Sequence, residues 1–194
     1  AKDPYLSIIS PVYEAESIVD ELVKRIKEVT NKITENFEII LVEDGSQDQS
    51  WEKIKENCKA DKRLKGIKFS RNFGQHNAIT AGLKESKGKY AIVMDCDLQD
   101  NPKYIPDMIK KAEDGFDIVY SIKKGRKHGI IKNFIALLFH KVHNWLIDNK
   151  SMSSSELVGA FSLINRKVID AFCECNEYHR TYINVINWTG FSST

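Results

Sequence analysis

Two carboxylates, Asp95 and Asp97, follow what reads as a buried strand, Ala91-Ile-Val-Met94. Spaced i, i+2 where that strand ends, they can reach one hard cation, which prefers oxygen ligands. In an open α/β sheet, ligands sit outside the carboxyl ends of the strands, and a cation there is useful chiefly where phosphate charge must be neutralised. Taken alone, Asp-x-Asp reads equally as an acidic loop. Three earlier strands end in comparable clusters: Pro11-Val-Tyr-Glu14, Glu43-Asp-Gly-Ser46 and Ser70-Arg-Asn-Phe-Gly74. If the strands are parallel, all four clusters share one rim. A nucleotide suits that rim. Tyr13 offers a flat face for a base, Asp44 an acceptor for a ring N–H, Arg71 a positive charge, and Asp95 with Asp97 a cation for the diphosphate. Singly, Asp44-Gly45 is as readily a plain turn and Tyr13 a half-buried core residue. Together, on successive strand ends, they read as loops carrying function on a rigid scaffold. No G-x-G-x-x-G or G-x-x-x-x-G-K-[ST] follows a strand, which excludes the dinucleotide fingerprint and the P-loop.

The elements that must position these clusters alternate from the start. Strands are expected at Tyr5–Ser10, Phe37–Val42, Lys65–Ser70, Lys89–Met94 and Asp117–Ser121. Between them, Glu16–Thr34 carries Ile18, Leu22, Ile26, Val29 and Ile33 at helical spacing. Further helices are expected at Gln49–Ala60, with Ser46 or Asp48 as its cap, at Gln75–Glu85, and from Pro102, where proline suits a first turn. This β-α-β-α order predicts a mostly parallel sheet with helices on both faces. The pattern then changes. A basic patch, Lys123, Lys124, Arg126, Lys127 and His128, leads into a long apolar helix, Ile130–Ile147, and a polar loop, Ser151–Ser155. Phe161–Ile164 reads as a short strand, and Lys167–Phe172 and Tyr178–Trp188 as helices. We therefore expect one structural domain in two halves: 1–122 binding the nucleotide and 123–194 facing the acceptor.

With 194 residues, 29% charged and 42% hydrophobic, the chain has ordinary globular composition. A net charge of +2 gives no global case for nucleic-acid binding. Cys58, Cys96, Cys173 and Cys175 match no zinc spacing, so reduced thiols are expected. Ala1-Lys-Asp-Pro4 leads straight into a strand without a signal-peptide pattern, and no run of about 18 apolar residues would span a bilayer.

The four rim motifs, with Val93-Met-Asp-Cys-Asp-Leu-Gln-Asp-Asn-Pro102 in full, resemble the inverting family 2 glycosyltransferases, and most closely the polyprenyl-phosphate sugar transferases such as dolichol-phosphate mannose synthase and the bactoprenol glucosyltransferases. The resemblance covers roughly residues 5–190 and is strongest through 121; the motifs in this order are far more specific than any one of them. It implies a GT-A fold, a UDP- or GDP-linked sugar donor and a divalent cation, Mg²⁺ or Mn²⁺. It also implies that Pro11, Tyr13, Glu14 and Asp44 contact the nucleoside, that Arg71 lies near the nucleotide, and that Asp95, Asp97 and Gln99 lie at the metal and diphosphate. Family members usually continue into membrane helices, so we expect this domain to precede such helices in a longer chain.

One departure bears on the acceptor. Where the polyprenyl-phosphate branch has a Gly-Asp-Phe-Arg-like stretch, this chain has Gly159-Ala-Phe-Ser162. Ala160 cannot accept a proton and Ser162 carries no charge. A phosphate acceptor is already ionised and needs little base; a glycan hydroxyl would need another carboxylate, for which Glu156 is the nearest candidate. Lys124 and Arg126 are placed to close over the diphosphate or to guide an anionic acceptor. The basic approach and apolar surface of Ile130–Ile147 suit the cytoplasmic membrane face, where Lys and Arg meet anionic headgroups. The same helix would equally pack on its own domain or in a homo-oligomer. His140 and His143, one turn apart, read as surface residues rather than ligands.

Overall fold

The computed structural model describes residues 3–122, 158–175 and 181–194. Strand β1 (Leu6–Val12) is buried along its whole length, as is β2 (Phe37–Glu43), and both are mainly apolar, as strands covered on both faces are. Helix α1 (Val19–Thr30) joins them. Helix α2 (Ser50–Ala60) leads to β3 (Leu64–Lys68), and α3 (Gln75–Glu85) to β4 (Tyr90–Val93). A single 3₁₀ turn, Pro102–Tyr104, with the Asn101 side chain accepting from Lys103 N, enters α4 (Ile105–Glu113), and β5 (Ile118–Ile122) follows. The chain returns as β6 (Val158–Asn165), α5 (Arg166–Glu174) and α6 (Tyr182–Trp188).

The sheet order is β3-β2-β1-β4-β6-β5. Pairs β1–β2, β1–β4 and β2–β3 are parallel, and β4–β6 is antiparallel, with Val93 opposite Ser162 and Tyr90 opposite Asn165. The expected mostly parallel sheet is therefore present, and β6 is its reversed member. Apart from the last residues of β5 and the first of β6, the described elements belong to one compact unit, Ala1–Tyr120 with Ala160–Thr194.

Alternation along the strands divides the core between two faces. Leu6, Ile8, Phe37, Ile39, Leu41 and Ile92 pack with Leu22 and Ile26 of α1, Ile54 of α2 and Met108 of α4. Ile9 and Val42 point the other way, onto α3, where a Cβ at Gly82 would stand 2.4 Å from the Ile9 side chain. On that same face the Ser162 hydroxyl meets the Tyr182 hydroxyl of α6 at 2.8 Å, with both residues fully buried. Helices thus cover both faces, as the alternating order predicts. The four free cysteines form no disulfide among the described residues.

Candidate active site

Because β1 to β4 run parallel, their carboxyl ends open on one rim, and the loops there are tied to one another. The β1–α1 loop is bonded to the β2–α2 loop rung by rung. Glu14 N donates to Ser46 Oγ (3.0 Å), Ala15 N to Ser50 Oγ (2.9 Å) and Glu16 N to Asp48 Oδ2 (3.0 Å), and Gln49 N donates back to Glu16 Oε2 (2.8 Å). Of the two expected caps, Asp48 does bond the first turn of α2, at Ser50 N, while Ser46 does not. The N-cap of α2 is Gln49, without a side-chain bond. Ser46 is spent on the neighbouring loop, and Asp48 divides its oxygens between Glu16 N and Ser50 N. Held this way, Glu14 takes a left-handed φ of 47°.

Asp44 is the seat of the next loop. Only 3% exposed, it accepts from Phe73 N at Oδ1 (2.7 Å) and from Gly74 N at Oδ2 (2.9 Å). Gly45 lets the two backbones meet: its φ is +74°, and a Cβ there would lie 2.2 Å from Arg71 C. The β4–α4 loop is also braced. Asp95 N donates to Asp100 Oδ2 (3.1 Å), and Gln99 N to Asp97 Oδ1 (2.9 Å) across Leu98, whose φ is 60°. Gln75 Nε2 donates to Asp95 Oδ1 at 2.5 Å, joining the third loop to the fourth. Burial pushes the Cys96 thiol up, aided by the charges of Asp95 and Asp97 and opposed by a bond from the Tyr13 backbone.

A cleft of about 320 Å³ lies between these loops, lined by Pro11, Tyr13, Asp44, Asp95 and Asp97 together with Val12, Asn72, Gly74, Gln75 and Cys96. Five residues expected at a nucleotide site thus line one cleft. Tyr13 is 45% exposed, so its ring is available as a flat face. Glu14, Arg71 and Gln99 stand on the same loops without lining the cleft; the Arg71 guanidinium lies 4.5 Å over the Phe73 ring. Lys124, Arg126, Glu156 and the stretch Ile130–Ile147 with His140 and His143 lie outside the described residues. Ala160 is half-buried. Sequence reasoning quoted Asn72, Gly74 and Cys96 within the motifs without giving them a role, and read Gln75 only as a helix start. Their signal was adjacency, since each borders a motif residue.

The donor set fits a divalent cation shared with phosphate. Two carboxylates lining one cleft are what Mg²⁺ takes from a protein when a diphosphate and water supply the remaining oxygens. Among the described residues, no three metal-binding side chains group together. No described helix is long and apolar enough to cross a membrane.

The chain is 37% identical over 189 residues to YkcC, an uncharacterized glycosyltransferase of Bacillus subtilis (strain 168), covering 97% of this chain and 58% of that one. It is 31% identical over 183 residues to the undecaprenyl-phosphate 4-deoxy-4-formamido-L-arabinose transferase of Shewanella sediminis, covering 94% and 54%. The chain therefore spans little more than half the length of the curated relatives it matches. Among solved structures it superposes on the mannosyltransferase PcManGT of Pyrobaculum calidifontis, in complex with GDP-Man and Mn²⁺, with a TM-score of 0.65 at 15% identity, over 100% of this chain and 55% of that one. It also superposes on glucosyl-3-phosphoglycerate synthase of Mycobacterium tuberculosis, in complex with Mn²⁺, UDP and phosphoglyceric acid, with a TM-score of 0.59 at 14% identity, over 87% and 58%. Those likenesses establish a GT-A-type fold. The family model of glycosyl transferase family 2 matches residues 7–172, and the chain belongs to that family.

Proposed function

We propose that this domain transfers a sugar, with inversion, from a UDP- or GDP-linked donor to a polyprenyl phosphate, using Mg²⁺ or Mn²⁺. The observation that carries the reading is the shared cleft, which Asp95 and Asp97 line together with Tyr13 and Asp44. A base stacked on Tyr13 and bonded at Asp44 would direct its diphosphate along the cleft toward the aspartates. When bound, the cation neutralises charge growing on the departing nucleoside diphosphate. Asp95 and Asp97 would hold it, with Gln99 on the same loop. Glu14 and Arg71 border the nucleotide end. The acceptor oxygen attacks the anomeric carbon from the opposite face. Lys124 and Arg126 belong to the segment that would close over the diphosphate or receive the acceptor phosphate, at the cytoplasmic membrane surface. The relatives named as undecaprenyl-phosphate transferases support the acceptor class.

A second reading rests on one observation. Ser162, where the branch carries arginine, is sealed against Tyr182 and cannot meet an acceptor phosphate. On that second reading a glycan hydroxyl would take the place of the lipid phosphate, with Glu156 as its candidate base.

Transfer assays with labelled UDP- and GDP-sugars, offered polyprenyl phosphate or a glycan, separate the two. Under the proposal, product forms on the lipid phosphate, chelation with EDTA abolishes it, and Asp97→Ala lowers turnover by about 10³-fold or more, as loss of a main electrostatic stabiliser does. Asp97→Ala turning over at the parent rate would refute the assignment.

A further inference from the structure

Gln75 opens α3 and lines the cleft between the loop seated on Asp44 and the loop carrying Asp95. Behind it, Phe73 N and Gly74 N are held by the Asp44 carboxylate. In front, its side chain lines the cleft and donates from Nε2 to Asp95 Oδ1. A carboxylate next to an amide can only accept, so the amide nitrogen and not its oxygen must face Asp95. The bond is charge-assisted and correspondingly strong, yet Gln75 is neutral. It turns the carboxylate without adding a positive charge that would compete with a cation. A bond at Oδ1 does not exhaust an acceptor with about four lone-pair sites. Metal-binding side chains are generally oriented by such outer hydrogen bonds.

We propose that Gln75 is a positioning residue for cation binding: through Asp95 Oδ1 it holds that carboxylate in its cation-binding orientation and couples it to the loop seated on Asp44. This rests on the reading of Asp95 and Asp97 as the cation ligands.

The test is Mn²⁺ binding by electron paramagnetic resonance, with the protein alone and with UDP or GDP present, for the parent, Gln75→Met, Gln75→Asn and Asp95→Asn. Gln75→Met keeps the length and loses the donor. Gln75→Asn keeps the amide and loses the reach. Both are expected to weaken Mn²⁺ binding by about 10-fold or more, as loss of an outer-shell partner typically does. Asp95→Asn is expected to weaken Mn²⁺ binding further. Parent-like Mn²⁺ affinity in Gln75→Met, with affinity lost in Asp95→Asn, overturns the inference and leaves the cation reading standing. Parent-like affinity in Asp95→Asn overturns both. Gln75 is exposed at a helix start, so circular dichroism of the variants is expected to match the parent. A weakening in Gln75→Met that Gln75→Asn does not share would show that polarity and not reach matters, and would overturn the positioning role.

Discussion

Gly45 and Gly190 share a backbone conformation and differ in surroundings, which allows strain and contact to be separated. Their φ values are +74° and +75°. A Cβ at Gly190 would meet nothing within 4 Å, whereas one at Gly45 would lie 2.2 Å from Arg71 C, 2.4 Å from Asn72 N and 2.7 Å from Arg71 Cα. Alanine at either position carries the left-handed penalty of about 1–2 kcal/mol. At Gly45 the obstacle is backbone, which cannot rotate aside, so the Arg71–Gly74 loop must retreat by at least about 1 Å to reach ordinary contact. That retreat stretches the Asp44 bonds to Phe73 N and Gly74 N, now 2.7 and 2.9 Å, towards the limit of hydrogen-bond geometry. Bonds to a charged group contribute about 1.5–3 kcal/mol each. Losing the equivalent of one, since the freed N–H groups are near water, gives Gly45→Ala a total of about 2.5–5 kcal/mol against about 1–2 for Gly190→Ala. Urea unfolding followed by circular dichroism measures both. Nucleotide titration of the same samples is expected to show binding kept in Gly190→Ala and weakened at least tenfold in Gly45→Ala. Equal destabilisation of the two variants, within about 0.5 kcal/mol, would refute the claim that Gly45 is required by the loop opposite it.

Glu38 gives a pH signature away from the site. Burial opposes its ionisation, but hydrogen bonds from the Ser7 hydroxyl, the Lys87 backbone N–H and Lys65 outweigh this and hold its carboxyl below the ordinary value of 4.5. A lowered folded value means that its contribution is complete above that ordinary value and is lost as pH falls through the lowered one. Glu38→Gln is expected to reduce stability at pH 7 by roughly 1–3 kcal/mol and to flatten the acid limb of a stability–pH profile from urea melts. The Ser162 hydroxyl donates to Ala160 O at 2.9 Å, so the Tyr182 hydroxyl is the donor in their shared bond. Ser162→Ala should lose about 1–3 kcal/mol by stranding that buried hydroxyl, and adding Tyr182→Phe should cost less than the two single changes together; a thermodynamic cycle from denaturant melts checks this. Tyr13→Ala should weaken UDP or GDP binding about 3–10-fold, in keeping with the energy of an aromatic stack, as read by isothermal titration without any effect on the unfolding midpoint.

The alternation of apolar runs and helical spacings named every strand of the sheet, β6 included, within a few residues, because each element buries a face whose period is written in the chain. The order β-α-β-α then implied parallel strands, and parallel strands put four motifs on one rim. Residue type and order alone thus determined the fold class, the family and five of the residues that line the cleft, Pro11, Tyr13, Asp44, Asp95 and Asp97. What they left open was which groups are already engaged. Ser46 and Asp48 are good caps by type; Asp48 bonds its own helix at Ser50 N and the facing loop as well, whereas Ser46 bonds only the facing loop, because that loop offers N–H groups at the right distance. Asp44 reads as a ligand for a base, and the structure shows that it also seats the Phe73–Gly74 backbone. Gln75 reads as a helix start and proves to hold an aspartate twenty positions away. Ser162 replaces a charge on paper, and only the folded chain shows its hydroxyl buried against Tyr182 of α6. Periodicity is a local property carried by each segment, whereas partners for hydrogen bonds are set by which loops the sheet brings within 3 Å, and that distance exists only once the chain has folded.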